Sequence, residues 1–277
     1  MKKTGVFGII ASLLLASGCI IICNSCDDLP SKAENTVTVS REMGTDLLLD
    51  AQTSNGNISV QGQDSTTCTV TAHITARAKT QEEAQSLADG TQIVLELSDM
   101  GMTVDIKKPD SELAKHISVS LDITMPGQNK LNLKTSNGNI QVSKVNQKID
   151  LGTSNGNVTL TDTAGPVNAR TSNGNVRCMN TQNDIHARSS NGNIEVAFDK
   201  TAAASTIDLE TSNGSITLTP GENFSAKIDA STSNGKVISD RPITVQGELS
   251  KTSIRGTIGD GQGNCRLHTS NGSIHIR

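Results

Sequence analysis

The chain has 277 residues, of which 34% are hydrophobic and 1% aromatic, with three Phe and no Tyr or Trp. That length allows about two domains or one elongated repeat body, and the composition excludes a compact core built around aromatic rings. A net charge of −4 with only 19% charged residues excludes both a charge-rich disordered tail and a basic nucleic-acid binder.

At the N-terminus, Lys2 and Lys3 precede an uncharged run from Thr4 to Cys23. Its stretch Gly5 to Ala16 has the length of a secretory core, which predicts export. Leu15-Ala16-Ser17-Gly18-Cys19 resembles a bacterial lipoprotein box, which implies lipidation of Cys19 as the mature N-terminus. Such boxes usually carry Leu three places before the cysteine; here Ala16 stands there and Leu15 sits one earlier. The competing reading is a membrane span, since about 20 uncharged residues suffice to cross the hydrocarbon. Either anchor tethers the chain to a membrane, and the polar stretch Asn24 to Asn35 reads as a flexible spacer. The expected organisation is a signal at 1–18, a tether at 19–35, a β-rich capping region at 36–130 and a repeat body at 131–277.

Within the capping region, Cys68 to Ala76 alternates as a strand. Thr80 to Gly90 then reads as a short helix with a Thr cap, Glu83 at the third helical position and a closing Gly. A hairpin is expected from Ile93–Leu97 and Met102–Ile106 around Met100-Gly101, followed by a strand from Ile117 to Thr124 before Met125-Pro126.

The rest of the chain repeats. Ser-Asn-Gly begins at Ser54, Ser136, Ser154, Ser172, Ser190, Ser212, Ser233 and Ser270. Thr252 to Ile258 reads as a degenerate ninth copy. The corners are Asn55-Gly56, Asn137-Gly138, Asn155-Gly156, Asn173-Gly174, Asn191-Gly192, Asn213-Gly214, Asn234-Gly235 and Asn271-Gly272. Apolar residues fall at every second place on both sides of each corner, as in Ile149/Leu151 with Val158/Leu160. This is strand periodicity. Asn-Gly between alternating runs favours an antiparallel hairpin locally. Units this short, with too little apolar surface to fold alone, favour stacking into a β-solenoid instead. The expected fold is therefore all-β: a right-handed parallel β-solenoid with Asn ladders along the stack and a β-rich cap containing one short helix. Gly is expected where φ turns positive, and the Thr before the Ser, present in seven of eight copies with Ser189 the exception, is expected to place its hydroxyl against the Thr of the next unit.

Tandem T-S-N-G-N-[IV] units behind a β-rich lead-in with a Met-Pro step and a lipoprotein-like signal resemble the bacterial putative adhesin family of β-strand repeat domains, a family of unknown function. The resemblance spans about Val37 to Arg277 and implies a surface-exposed repeat fold without catalytic residues.

Other chemistry is sparse. Cys68, Cys178 and Cys265 occupy inward strand positions and read as small buried hydrophobes, while Cys23-Asn24-Ser25-Cys26 is a lone pair on the tether. The histidines His73, His116, His186, His268 and His275 are scattered and read as solvated surface groups. Arg170, Arg177 and Arg188 are outward residues of adjacent units, so an anion or acidic-polymer site competes there with a solvated face neutralised by Glu195 and Glu210. Gly259 to Gly263 occurs once and reads as a loop. No cofactor and no metal is expected. The leading functional expectation is a non-enzymatic, envelope-anchored adhesin or structural lipoprotein, periplasmic or surface-exposed, meeting a surface polymer or envelope protein. The alternatives are an envelope sensor or scaffold docking another membrane protein, and a polysaccharide-active β-helix enzyme, against which the absence of Trp and Tyr argues.

Overall fold

The computed structural model describes residues 12–13, 29–199, 206–245 and 250–277. Apart from Ser12 and Leu13, the export segment lies outside the described residues, as do Cys19 and the Cys23–Cys26 pair.

The chain forms two large, mostly parallel β-sheets facing each other, with one α-helix among the described residues. Each Asn-Gly unit contributes one level. Its first strand, for example Ile149–Asn155, joins what is here called the leading sheet. The chain turns at Asn155-Gly156, and the second strand, Val158–Thr163, joins the trailing sheet. Neighbouring levels pair in parallel and in register, Ile149 against Val167 and Asn155 against Asn173 in one sheet, Val158 against Val176 in the other. The hairpin alternative is thereby overturned. A hairpin folds each unit on itself and leaves both apolar faces half covered, whereas stacking encloses Ile149, Leu151, Val158 and Leu160 between the sheets, all of them buried. Each such aliphatic side chain contributes about 1.5–3 kcal/mol on burial.

The corner glycines have a different cause from the one expected. Only Gly56 and Gly272, with φ of 142° and 158°, adopt a conformation that L side chains rarely reach. At the others the constraint is axial crowding: a Cβ on Gly156 would lie 1.9 Å from the Gly138 carbonyl oxygen, and one on Gly174 would lie 1.9 Å from that of Gly156. The threonine hydroxyls also find another partner. Thr153 Oγ1 donates to the Gly138 carbonyl at 3.0 Å and Thr171 Oγ1 to that of Gly156 at 2.9 Å. The hydroxyl thus satisfies a buried-edge carbonyl across the level boundary, which a Thr–Thr contact would leave unpaired. The asparagine ladder runs as expected. Asn137 donates to Asn55, and the chain of bonds continues through Asn155, Asn173, Asn191, Asn213 and Asn271 to Asn234 at 2.8–2.9 Å.

Both ends depart from chain order. The Ser54 level, Leu48–Asn55 and Ile58–Gln63, stacks directly on the Ser136 level, Lys130–Asn137 and Ile140–Ser143. The intervening residues lie on its other side. There Gly101–Lys107 and Ile117–Pro126 pair in parallel with its two strands, forming a level without an Asn-Gly corner. Antiparallel strands follow outward: Gln92–Ser98 on the leading sheet, and Thr67–Ala78 then Ser31–Glu42 on the trailing one. The helix Gln81–Asp89 carries the expected capping box between Thr80 and Glu83.

At the C-terminal end the last unit in sequence is not the last in space. The Ser270 level, Gly263–Asn271 and Ile274–Ile276, is inserted between the Ser212 level, Thr206–Asn213 and Ile216–Thr219, and the Ser233 level, Ala226–Asn234 and Val237–Ser239. The expected ninth copy is no level at all. Ser253–Ile258 runs antiparallel to Ala226–Asn234 and covers it from outside. An antiparallel strand has the same two-residue alternation as a stacked one, so periodicity alone does not separate them.

Candidate functional site

The leading sheet turns one face outward, and alternation fixes which residues it shows. Three columns run along it. The first holds Asp50, Asn132, Asp150, Asn168, His186 and Asp208, the second Gln52, Lys134, Gly152, Arg170, Arg188 and Glu210, and the third Ser54, Ser136, Ser154, Ser172, Ser190 and Ser212. The second and third columns line a trough of about 1020 Å³. Thr103, Asp105, Ile106 and Lys108, from the level without a corner, also line it. Burial lowers the Lys108 pKa, and its ammonium donates to the Ile117 carbonyl at 2.9 Å.

The T-S-N-G unit divides its labour. Thr, Asn and Gly each have a structural task along the stack, as described above. The serine hydroxyls make no hydrogen bond among the described residues, and the side chains are exposed at seven levels and half-buried at Ser270.

The second column is electrostatically uneven. Arg188 is held by Asp208 at 3.4 Å and Glu210 at 3.5 Å. Arg170 stands directly beside Arg188 in the register, at the strand separation of about 4.8 Å, yet neither Arg170 nor Lys134 has an ion pair or hydrogen bond among the described residues. Between them lies Gly152. A Cβ there would meet only Lys134 Cγ, at 3.9 Å, an ordinary contact. Neither crowding nor φ requires glycine at this position, and its effect is a notch in a column otherwise made of long side chains.

Arg170 and Arg188 stand side by side on this face as expected, while Arg177 lies outward on the trailing sheet and pairs at 3.4 Å with Glu195, one of the two expected neutralising carboxylates. Each unit shows outward residues on both sheets, so Arg177, past the corner from Arg170 in the same unit, faces the opposite side. Lys134 and Gly152 escaped the sequence reading, although aligning the residue two places before each Ser would have revealed them. The corner residues Asn55 to Gly272 line the stack edge beside the serine column. Cys68, Cys178 and Cys265 are free and buried, with thiols pushed up to about 12 by burial. Four histidines have polar neighbours: His73 with Asp122 at 3.0 Å, His275 with Asp240 at 2.8 Å, His186 with Asp208 at 3.7 Å, and His268 with Ser231 at 3.1 Å. Among the described residues no group of three or more His, Cys, Asp or Glu is placed to hold a metal ion, and no helix is long and apolar enough to cross a membrane.

The profile of the Toastrack DUF4097 family matches residues 31–277. The chain belongs to that family. The expected adhesin-type repeat family of unknown function agrees with this membership. No functionally curated protein matches the chain. Among solved structures it is similar to a putative adhesin of Bacteroides fragilis, at 16% identity over 88% of this chain and 97% of that one, with a TM-score of 0.47. A putative cell adhesion protein of Clostridium sporogenes aligns at 13% identity over 89% and 99%, with a TM-score of 0.41. A putative lipid binding protein of Parabacteroides distasonis aligns at 13% identity over 88% and 97%, with a TM-score of 0.33.

Proposed function

We propose that this Toastrack-family protein is a non-enzymatic, envelope-anchored adhesin or structural surface module. The observation that supports this reading most is that its surface chemistry is repeated rather than unique. An enzyme converges unlike groups on one point; here the serine hydroxyls and ladder amides recur at each Asn-Gly level, at about 4.8 Å, an arrangement suited to multivalent contact with a repeating partner. In this reading the coil is right-handed, residues 36–130 include the cap that protects one end, and lipid on Cys19 tethers the chain through the residues that precede the strand Ser31–Glu42, which takes up the last five positions expected of the tether; the protein then sits in the cell envelope at the periplasmic or outer face.

Two measurements test it. Cells lacking the protein should adhere less to glycan-coated surfaces and recover on complementation; unchanged adherence, with one stoichiometric envelope protein recovered by crosslinking, would favour a scaffold. Mass spectrometry of the mature chain should find acylated Cys19, whereas an intact Met1 would indicate a membrane span. Turnover of polyuronates or cell-wall glycans, abolished by a single substitution, would overturn the non-enzymatic reading.

A further inference from the structure

We infer that the trough on the leading sheet is a binding site for a linear, carboxylate-bearing glycan, with one carboxylate seated in the Gly152 notch between Lys134 and Arg170. This rests on the adhesive reading and names the partner class of the same face.

Three observations carry it. The trough is concave and large, about 1020 Å³. Its central cations lack counterions: Arg170 faces Arg188 on one side in the ladder and Gly152 on the other. Like charges directly opposite one another in a sheet are destabilising, and an anion at the notch relieves that repulsion while meeting Lys134 from the opposite side. Finally, Gly152 stands inside the strand Ile149–Asn155 without being required by sterics or φ, although glycine inside a strand is destabilising relative to alanine. The vacancy gives an incoming group access to the backbone level between the two cations. Beside it the hydroxyls of Ser136, Ser154 and Ser172 offer donors and acceptors at strand spacing to a hydroxyl-rich chain.

The charge balance selects among anionic polymers. Arg188 is already paired with Asp208 and Glu210, and Asp50 and Asp105 stand at the other end of the trough. A polyphosphate, charged at every unit, meets these carboxylates; a glycan with sparser carboxylates and many hydroxyls fits two free cations along a serine row.

The test uses the full chain in detergent, titrated with polygalacturonate, its methyl-esterified form and inorganic polyphosphate. We expect salt-sensitive binding of polygalacturonate and affinity at least about tenfold weaker for the esterified polymer. Gly152→Gln, which copies Gln52 of the same column, and the double variant Lys134→Gln/Arg170→Gln should each weaken binding about tenfold or more with a melting temperature that is unchanged or raised. No binding by the wild type, equal binding of the esterified polymer or of polyphosphate, or affinity unmoved by both variants would overturn the assignment. If purified chain binds as expected while cells lacking the protein adhere normally, the glycan site stands and the adhesive role falls. If adherence is lost but the trough variants adhere normally, the reverse holds.

Discussion

The middle of the stack and its two ends obey different rules. From the Ser136 level to the Ser212 level, order in sequence equals order in space, and every level repeats the same bonds: a ladder asparagine, a hydroxyl to a glycine carbonyl (from Ser189 at the Ser190 level and from threonine at the others), and a corner glycine under the next carbonyl. At the ends order is permuted. The Ser54 level has later residues on its outer side, and the Ser270 level lies inside the Ser233 level. A repeat thus encodes what a level binds, not where it goes. Any Asn-Gly level offers its neighbours the same donors and acceptors, so non-repeating strands such as Ser253–Ile258 and Thr67–Ala78 decide where stacking stops.

The largest effect should come from removing the inserted level. A chain ending before Gly263 loses the buried Cys265, Leu267, Ile274 and Ile276, on the order of 6–8 kcal/mol of burial. Without that level the Ser233 level stands two spacings, about 9.6 Å, from its support. Hydrogen exchange should show lost protection from 226 to 239 while the Ser154 and Ser172 levels stay protected, because stability in a stack is a nearest-neighbour property. Protection retained at 226–239 would mean that the end does not depend on the insertion.

Next in size is a paired glycine comparison within the regular middle. Gly174→Ala puts a methyl 1.9 Å from the Gly156 carbonyl oxygen and should cost about 4 kcal/mol or more. Gly152→Ala, only one level away, should be neutral or stabilising by up to about 1 kcal/mol. Thermal melts of the two variants check whether crowding, rather than glycine content, governs the corners.

Smaller again are the ladder bonds. Asn173→Ala removes the donor to Asn155 and the acceptor for Asn191, an expected loss of about 1–2 kcal/mol, and Thr171→Val removes one hydroxyl bond for about 1 kcal/mol. Denaturant melts should rank them in that order.

A probe that needs no substitution is alkaline pH. The thiols of Cys68, Cys178 and Cys265 are raised from 9.0 to about 12 by burial. In the unfolded chain they ionise from about pH 9, while in the folded chain they stay neutral, so their contribution is complete below that pH and declines as pH rises toward 12. The melting temperature should fall over this window, and replacing the three with Ala or Val should flatten the fall. The same thiols should resist iodoacetamide at pH 8 in the folded protein.

How much of this was legible in the sequence follows from what alternation encodes. Ile149, Leu151, Val158 and Leu160 announced strands and an enclosed core, and eight near-identical corners announced stacking. The helix at Gln81–Asp89 was legible through Thr80 and Glu83, and the hairpin of Gln92–Ser98 with Gly101–Lys107 through its flanking alternation. The permuted ends were not, because the Ser233 and Ser270 units carry the same signature and only their interfaces order them. The level built from Gly101–Lys107 and Ile117–Pro126 was hidden for the opposite reason: it turns through the 3-10 helix Glu112–His116 and carries no corner motif. In the trough, Arg170 and Arg188 were visible as outward charges. Lys134 and Gly152 were not, since a lone lysine and a missing side chain acquire meaning only beside their neighbours.

The order of levels at the C-terminal end is open to a direct measurement: oxidative crosslinking of engineered serine-column cysteines, with Cys19, Cys23 and Cys26 replaced. Ser212→Cys with Ser270→Cys places two thiols on adjacent, in-register levels, about 4.8 Å apart along the sheet, within disulfide range once the side chains adjust. Ser212→Cys with Ser233→Cys separates them by two levels. Ready closure of the first pair and none of the second is the expected result. Closure of 212 with 233, and failure of 212 with 270, would show that the levels follow chain order and would contradict it.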